Sequence, residues 1–379
     1  MSRRYDFLDA YRGLIVLLMI EGHVVREFLQ PVLQISPLFR AHELLHGITG
    51  PGFLFGAGIT FGISAQRRWE DFLRPTPVLA RRMGKIFLLI IIGYALHLPF
   101  LSLQKTLRET SAGGWTALLS FDVLQCIGFS LLILQLLLLI LRGRGLFLGT
   151  VGVLGTAAVL LTPVIWRMDL QALPAAVSLG LQGTSGSVYP IVPYSAFLFA
   201  GAVASYRFTK HAEDGNERVF LHRLALGGLF CILAGFLSEW LPLRVYEEVD
   251  FWHDSPNFFL MKLGGLFLLM SGTWVLNAQI RSSLLVRLSL VGIESLFVYI
   301  VHLVVLYGSP INAEFHLSSV WSGGLGWFAA LGVSAVLMLV LYGAARMWRA
   351  LKLDHPVLFR AMQIWIAVVL SYEFLTSPY

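Results

Sequence analysis

The sequence predicts an all-α, polytopic membrane protein whose N-terminus lies inside the cell and whose C-terminus lies outside. Three observations support this fold class: the composition, the length of the apolar segments and the placement of positive charge. The 379 residues are 57% hydrophobic and only 13% charged, with a mean hydropathy of +0.74. Soluble domains are about half apolar and roughly a quarter charged, so this composition is typical of a chain embedded in lipid.

About eleven apolar segments are long enough to cross a bilayer as a helix, which takes about 20 residues. They cover residues 13–33, 48–65, 86–103, 122–141, 146–166, 188–206, 219–241, 258–277, 288–308, 320–345 and 357–375. No hydrophilic stretch between them is long enough for a soluble domain, so we expect one integral membrane domain over residues 1–379. The first apolar segment has no small-residue cleavage site, which indicates a retained span rather than a signal peptide.

Positive charge gives the orientation, because the cytoplasmic loops of membrane proteins are enriched in Lys and Arg. With the N-terminus inside, most of the 28 Lys and Arg residues fall on the cytoplasmic side, including Arg3, Arg4 and Arg281. Few fall outside; Arg244 is one of them, next to the acidic segment YEEVDFWHD. An odd number of spans then places the C-terminus outside.

The sequence also excludes several classes of function. Cys126 and Cys231 lie in apolar segments, so we expect no disulfide framework. The net charge of +6 reflects topology, and no basic soluble domain is present that would bind nucleic acid. The chain lacks a phosphate-binding P-loop, a dinucleotide-binding GxGxxG motif, a GxSxG nucleophile elbow and an HExxH zinc motif.

The first predicted helix carries ionisable residues, which are costly in lipid and therefore indicate function. At about 100° per residue, the eleven steps from Arg12 to His23 leave the two side chains about 20° apart on one face, with Asp9 nearby. Glu21 lies nine steps from Arg12, about 180° away. We therefore predict that Glu21 does not face the same cavity as His23, and that it is either protonated or bonded to a neighbouring helix.

Other polar residues fall in or near the outer halves of their predicted spans. This group comprises His97, Asp122, Gln125, Tyr189, Tyr194, Lys262, Ser295, Tyr299 and His302. Together with His23 near the middle of the bilayer, they predict a polar cavity that opens to the outside. Simpler roles stay open: packing for the histidines, a helix N-cap for Asp122 and an amine that reaches the surface for Lys262.

His42 and His46 form a pair four residues apart in the first outer loop. On a helix, this spacing lets two histidines bind one metal ion. Because the sequence shows no evident third ligand, we predict no metal, and a role in substrate binding or acid–base chemistry instead. Burial in lipid favours a neutral imidazole, which can accept a proton, so His23 is also a candidate general base.

Several segments resemble a known group of enzymes. The segment LDAYRGLIVLLMIEGH is similar to the first helix of the transmembrane acyltransferase superfamily, in which Asp-x-x-Arg-Gly is followed by a histidine eleven residues after the arginine. The segments GPGFLFGAGITFGIS, FDVLQCIGFSLLIL, YPIVPYSAFLFAGA and GIESLFVYIVHLVVLYG follow in order. They resemble the branch that includes heparan-α-glucosaminide N-acetyltransferase and its bacterial relatives, and about eleven spans also fit that branch.

This resemblance implies transfer of an acyl group, commonly acetyl, from cytoplasmic acyl-coenzyme A (acyl-CoA) to an extracytoplasmic carbohydrate, with an essential histidine. The first-helix pattern assigns that histidine to His23, and the stretch before the second span offers His42 or His46; we place His23 first and His42 second. Arg12 would hold a phosphate of the coenzyme, and Asp9 would orient Arg12. The acceptor would be bound by His46, His97, Asp122, Gln125, Tyr189, Tyr194, Lys262, Tyr299 and His302.

The expected partners are therefore acyl-CoA, a carbohydrate acceptor and the lipid bilayer, with no metal cofactor; a homo-oligomer is compatible with the sequence. A compact chain without a large lumenal domain favours the bacterial inner membrane. A polar-solute transporter is the main alternative, because polar residues within spans also line transport routes. A structural or lipid-binding protein would leave the alignment of Arg12 with His23 unexplained.

Overall fold

The computed structural model describes residues 5–241, 245–279 and 283–377, and within these ranges the chain is helical with no named strand. This confirms the all-α, polytopic membrane class. Four basic residues used for the predicted orientation, Arg3, Arg4, Arg244 and Arg281, lie outside the described residues. The orientation therefore stays a prediction.

The described ranges contain helices of very different lengths. In chain order they are α1 (Asp6–Phe28), α2 (Pro31–Gln34), α3 (Pro37–His46), α4 (Thr49–Arg67), α5 (Trp69–Leu73), α6 (Pro77–Ala95), α7 (Leu103–Glu109), α8 (Ala112–Leu119), α9 (Val123–Leu141), α10 (Arg144–Ile165), α11 (Ala175–Leu181), α12 (Ile191–Glu213), α13 (Glu217–Ser238), α14 (Pro256–Gln279), α15 (Ser283–Ile293), α16 (Ser295–Tyr307), α17 (Ser318–Trp321), α18 (Trp327–Asp354) and α19 (Pro356–Thr376).

Eight helical segments in the described part of the chain are long and apolar enough to cross a membrane. They are Pro37–Arg67, Val123–Leu141, Arg144–Ile165, Ile191–Glu213, Glu217–Ser238, Pro256–Gln279, Trp327–Asp354 and Pro356–Thr376. A ninth span forms if Leu284–Ile293 and Ser295–Tyr307, which are bent by 79° at their junction, cross together. The count of about eleven stays a prediction.

The first and third predicted spans account for the difference in count. They correspond to α1 and α6, and every 18-residue stretch of either helix contains more than two Asp, Glu, Lys or Arg residues. The third segment is also displaced along the chain: residues 86–103 were expected to be helical, but α6 runs from Pro77 to Ala95. Its end precedes Pro99, and a proline disfavours helical backbone at the residue before it.

The chain packs as two compact units. This division describes packing and does not test the prediction of a single integral membrane domain. The first unit consists of Met1–Thr49, Leu96–Leu118 and Gln279–Tyr379. The second consists of Gly50–Ala95 and Leu119–Ala278. One integral membrane domain over residues 1–379 stays a prediction.

In the first unit, α1 packs against α3, α15, α16 and α18. Several of its large side chains are fully buried: Tyr11, Ile15, Ile20 and Phe28. Glycines permit the closest contact, because a Cβ atom at Gly13 would collide with the backbone oxygen of Leu288 on α15. One at Gly292 would collide with the backbone oxygen of Asp9. Since protein surrounds much of α1, its ionisable side chains can find partners on neighbouring helices.

In the second unit, α9 packs against α6, α10 and α12. The four-residue spacing of Gly58 and Gly62 predicts a close contact between two helices. The structure confirms it: Cβ atoms at these positions would collide with the backbone oxygen of Leu198 and the side chain of Ser205, both on α12. These glycines therefore serve packing rather than chemistry.

Candidate active site

The start of α3 sets the positions of the two histidines predicted in the first outer loop. Ser36 is the N-cap, and its hydroxyl accepts a hydrogen bond from the Phe39 backbone at 3.2 Å. Pro37 occupies the first turn, where its missing N–H costs nothing. The segment is therefore a helix rather than an irregular loop, and His42 and His46, one turn apart, share a face of it.

Gly22 on α1 lets α3 approach. A Cβ atom at this position would lie 2.7 Å from His46 Nδ1 and 2.9 Å from His46 Cγ, which is closer than real side chains come. The absence of a side chain therefore leaves room for the His46 ring directly beside the backbone of α1. Glu21, the preceding residue, lies at the same level of the helix.

Glu21, His42 and His46 form a compact group, which we call the Glu21 cluster. His42 Nε2 lies 3.0 Å from Glu21 Oε1 and 3.2 Å from Oε2, and His46 Nε2 lies 2.5 Å from Oε2. The centroids of the two imidazole rings are 4.0 Å apart. Only 18% of the Glu21 side chain, 11% of His42 and 9% of His46 are exposed. The prediction that Glu21 bonds to a neighbouring helix is confirmed.

These contacts define which nitrogen of each ring is available for chemistry. An ionised Glu21 carboxylate only accepts hydrogen bonds, so the Nε2 atoms that contact it carry the hydrogens. In a neutral imidazole the other nitrogen, Nδ1, then has a free lone pair. Nδ1 of His42 and Nδ1 of His46 are buried and have no hydrogen-bond partner among the described residues. An imidazole held by a carboxylate at one nitrogen and free at the other is suited to general-base chemistry.

Aromatic side chains hold the ring of His42 in place. It stacks on Phe39 with a centroid distance of 5.9 Å and an interplanar angle of 18°. Trp327 meets it edge to face at 5.7 Å. Phe39 belongs to a buried hydrophobic group with Val25 and Ala330, against which Trp327 packs. The orientation of His42 therefore depends on the core of the unit as well as on Glu21.

His23 lies near the same end of α1 as Glu21 and contacts α16. Its ring centroid lies 5.2 Å from that of His302 and 5.8 Å from that of Tyr307. Tyr299 in turn meets His302 edge to face at 5.4 Å. Three of the residues selected from the sequence, His23, Tyr299 and His302, are thus neighbours. The contacts of His23 on α16 and of Glu21 on α3 agree with the prediction that these two residues face different surroundings.

Arg12 contacts the opposite end of α16. Its Nη2 donates to Ser295 Oγ at 3.3 Å, and its Nη1 lies 3.7 Å from Asp9 Oδ1. Asp9 is buried, whereas a third of the Arg12 side chain is exposed. Asp9 is therefore in place to orient Arg12. Both Arg12 and His23 contact α16, as expected of two residues on one helix face.

Glu294, at the junction of α15 and α16, is a residue that the sequence reasoning missed. Its buried carboxylate accepts hydrogen bonds from Lys352 Nζ at 3.2 Å and lies 3.6 Å from Arg349 Nη1. Glu294 directly precedes Ser295, which Arg12 contacts. The cationic side chains of Arg349, Lys352 and Arg12 therefore lie at the same end of the unit. The available signal was an acid in an otherwise apolar run, GIESLFVYIVHL.

The second unit contains five further residues selected from the sequence: Asp122, Gln125, Tyr189, Tyr194 and Lys262. Asp122 is the N-cap of α9 and accepts a hydrogen bond from the Val123 backbone at 2.7 Å, which confirms the capping interpretation. The rings of Tyr189 and Tyr194 meet edge to face at 5.0 Å. Gln125 is fully buried, and Lys262 Nζ lies 4.0 Å from the centroid of the Phe258 ring.

His97 does not lie within a helix, contrary to the prediction that it occupies the outer half of the third span. It lies in the turn after α6, because that helix ends at Ala95. The first unit thus contains Asp9, Arg12, His23, His42, His46, His97, Tyr299 and His302. A common cavity for all the selected residues stays a prediction.

Comparison with known proteins identifies the family. A family model described as heparan-alpha-glucosaminide N-acetyltransferase, catalytic, matches residues 4–234, well over half of the chain. The matched range includes α1 and α3, and therefore His23 and the whole Glu21 cluster. The comparison with individually curated proteins gives no match. The chain belongs to the heparan-alpha-glucosaminide N-acetyltransferase catalytic family, and it is a membrane-embedded acetyltransferase.

Proposed function

We propose that this acetyltransferase moves the acetyl group of cytoplasmic acetyl-CoA to a sugar or glycan on the other side of the membrane. Membership of the family supports acetyl transfer to sugars in general. The observation that supports the chemistry is the Glu21 cluster, a carboxylate bonded to two histidines inside the matched range. A multi-pass position in a bacterial inner membrane is part of the proposal.

His42 is the general base in this proposal. Glu21 holds its Nε2, and Nδ1 takes the proton from the acceptor hydroxyl or amine as that group attacks the thioester carbonyl carbon. The tetrahedral intermediate then expels the CoA sulfur, which receives the proton from the His42 imidazolium. Glu21 stabilises the imidazolium between these two steps. Attack by His42 Nδ1 itself, giving a transient acetyl-histidine, is the alternative route.

His42 takes precedence over His23, which the first-helix pattern favoured. The structure places the Glu21 carboxylate 3.0 Å from His42 Nε2. A carboxylate partner fixes the tautomer and orientation of a base and stabilises its charged form. His23 is retained as the second candidate.

The basic residues at the junction of α15 and α16 are the proposed contacts of the coenzyme. Arg12 is partly exposed and is held by Asp9 and Ser295, so its guanidinium can bind a phosphate oxygen of acetyl-CoA. Asp9 acts by orienting Arg12. The acceptor hydroxyls are the proposed partners of His46, His97, Asp122, Gln125, Tyr189, Tyr194, Lys262, Tyr299 and His302.

Transport of a polar solute is a second candidate function, and one observation favours it. The bend of 79° between Leu284–Ile293 and Ser295–Tyr307 resembles the broken helices that form binding sites in transporters. Such folds place a second broken helix in a matching position of an inverted repeat. Among the described residues this is the one bent pair, so the observation favours transport weakly.

Reconstitution in vesicles separates the two functions. Purified protein is given acetyl-CoA labelled in the acetyl group and a panel of neutral sugars and hexosamines, and the release of CoA thiol is followed together with the acetylated sugar by mass spectrometry. We expect thiol release that depends on one class of sugar. No thioester consumption with any acceptor would contradict acetyl transfer, and sugar uptake without thioester consumption would establish transport.

A further inference from the structure

We propose that Glu21, His42 and His46 also form a binding site for a divalent transition-metal ion, for which Zn²⁺ is the probe. The sequence alone predicted no metal, because a pair of histidines lacked a third ligand. The structure supplies that ligand from another helix. One ligand atom from each of the three side chains lies within 4.8 Å of the other two.

The distances in the cluster fit a tetrahedral ion. Zn–N and Zn–O bonds of about 2.0–2.1 Å place neighbouring ligand atoms roughly 3.3 Å apart. His42 Nε2 lies 3.2 Å from Glu21 Oε2, and His46 Nε2 lies 2.5 Å from the same oxygen. An ion between the three groups therefore requires Glu21 to withdraw by less than about one ångström from His46. The ring Nε2 atoms already point to a common centre, the carboxylate.

The ligand set determines which ions bind. Two imidazoles and one carboxylate are a frequent protein ligand set for zinc, and three protein ligands leave a fourth position open. Imidazole nitrogen suits Zn²⁺, Cu²⁺ and Ni²⁺, whereas Mg²⁺ and Ca²⁺ prefer oxygen ligands. The three side chains are largely buried, so they lose few contacts with water when they bind an ion. We therefore expect selectivity for transition metals over Mg²⁺.

Metal binding and base catalysis use the same imidazole in opposite tautomers. A metal needs the lone pair of Nε2, which leaves the hydrogen on Nδ1. The proposed base needs the lone pair of Nδ1, with the hydrogen on Nε2 donated to Glu21. A bound ion therefore prevents His42 from accepting a proton, and Zn²⁺ inhibits transfer. This consequence rests on the proposed function, whereas the binding site itself does not.

The hydrogen bonds made by the second nitrogen of each histidine ligand determine the expected metal affinity. In tight sites, a histidine ligand donates its second N–H to a carboxylate or a backbone oxygen, and loss of such a partner weakens binding by about 10- to 100-fold. Nδ1 of His42 and Nδ1 of His46 have no hydrogen-bond partner in the described ranges. We therefore expect a reversible site that a chelator empties.

Direct binding to the purified, full-length protein tests the proposal. The protein is purified without a histidine tag, and a chelator removes any bound metal. Zn²⁺ binding is then measured by calorimetry and by equilibrium dialysis, with excess Mg²⁺ present. We expect one ion per chain, and at least a tenfold weaker affinity in Glu21→Gln and in His46→Ala. The matched control His222→Ala removes an exposed histidine of α13 and should bind as wild type does.

The outcomes separate this inference from the proposed function. Absence of Zn²⁺ binding, or equal affinity in wild type, Glu21→Gln and His46→Ala, would overturn the metal site even if acetyl transfer is observed. X-ray absorption that shows two imidazole ligands in wild type and one in His46→Ala would support it even if no transfer is found. In active protein, Zn²⁺ should inhibit CoA release and a chelator should restore it.

Discussion

A His42→Ala variant is expected to release CoA in the presence of the sugar acceptor at least about 100-fold more slowly than wild type. General acid–base catalysis typically contributes that much or more, and alanine has no group that can take the acceptor proton. The loss should appear in kcat, because the proposed phosphate contact of acetyl-CoA lies elsewhere, at Arg12. The measurement is CoA thiol release by protein reconstituted in vesicles.

Packing must be separated from chemistry in this variant, because the His42 ring contacts Phe39 and Trp327. A His42→Gln variant retains more of the side-chain volume without a base, and both variants should elute from gel filtration as wild type does. His222→Ala, which removes an exposed histidine, should retain full activity. A folded His42→Gln protein with the wild-type rate would show that His42 is not the base.

A Glu21→Gln variant is expected to lower kcat roughly 10- to 100-fold. A hydrogen bond to a charged group contributes about 1.5–3 kcal/mol, and each 1.4 kcal/mol corresponds to a factor of ten in rate. Glutamine has an NH₂ donor in place of one of the two carboxylate oxygens, so it does not reproduce the contacts of Oε1 and Oε2 with His42 Nε2 and His46 Nε2. It also does not stabilise the His42 imidazolium.

Because Glu21 is proposed to act through His42, the pattern of kinetic constants tests its role. The KM for acetyl-CoA should change little, while kcat falls. Glu21→Asp keeps the charge on a shorter side chain and should recover part of the loss. A Glu21→Gln variant that raises KM and leaves kcat unchanged would instead place Glu21 in substrate binding.

Much of the fold follows from the sequence because apolar length is a strong local signal. The segments predicted at 122–141, 258–277 and 357–375 correspond closely to α9, α14 and α19. The prediction of spans was least accurate in segments that combine charged and apolar residues. Every 18-residue stretch of α1 and of α6 contains more than two charged residues, and α6 begins nine residues before the predicted span. The end of α6 is set by a local proline signal that the length criterion ignores.

The candidate site was predictable in parts. Helical periodicity separated Glu21 from His23, and the i, i+4 spacing of His42 and His46 marked them as a pair. Periodicity gives the direction of a side chain but not the helix that it meets. The contact between Glu21 and α3 depends on tertiary packing, including the space that Gly22 leaves for His46. No pattern within one segment could therefore supply the acid that completes the cluster.

The bend at Glu294 illustrates the same limit. The sequence predicted one span at 288–308, because the segment is long and largely apolar. The structure instead ends α15 at Ile293 and starts α16 at Ser295. Lys352 and Arg349, which neutralise Glu294, lie more than 50 residues later in the chain. Only their position on α18 makes a buried acid at the bend acceptable.

The most direct test of the central claim, that Glu21 acts through His42 in acetyl transfer, is a double-mutant cycle on acceptor-dependent CoA release. Residues that act as a unit give non-additive losses, whereas independent residues give additive ones. We predict that Glu21→Gln slows the His42→Ala protein no further, but slows the His23→Ala protein by the same factor as wild type. The opposite pattern, additivity with His42 and none with His23, would contradict the claim and assign the base to His23.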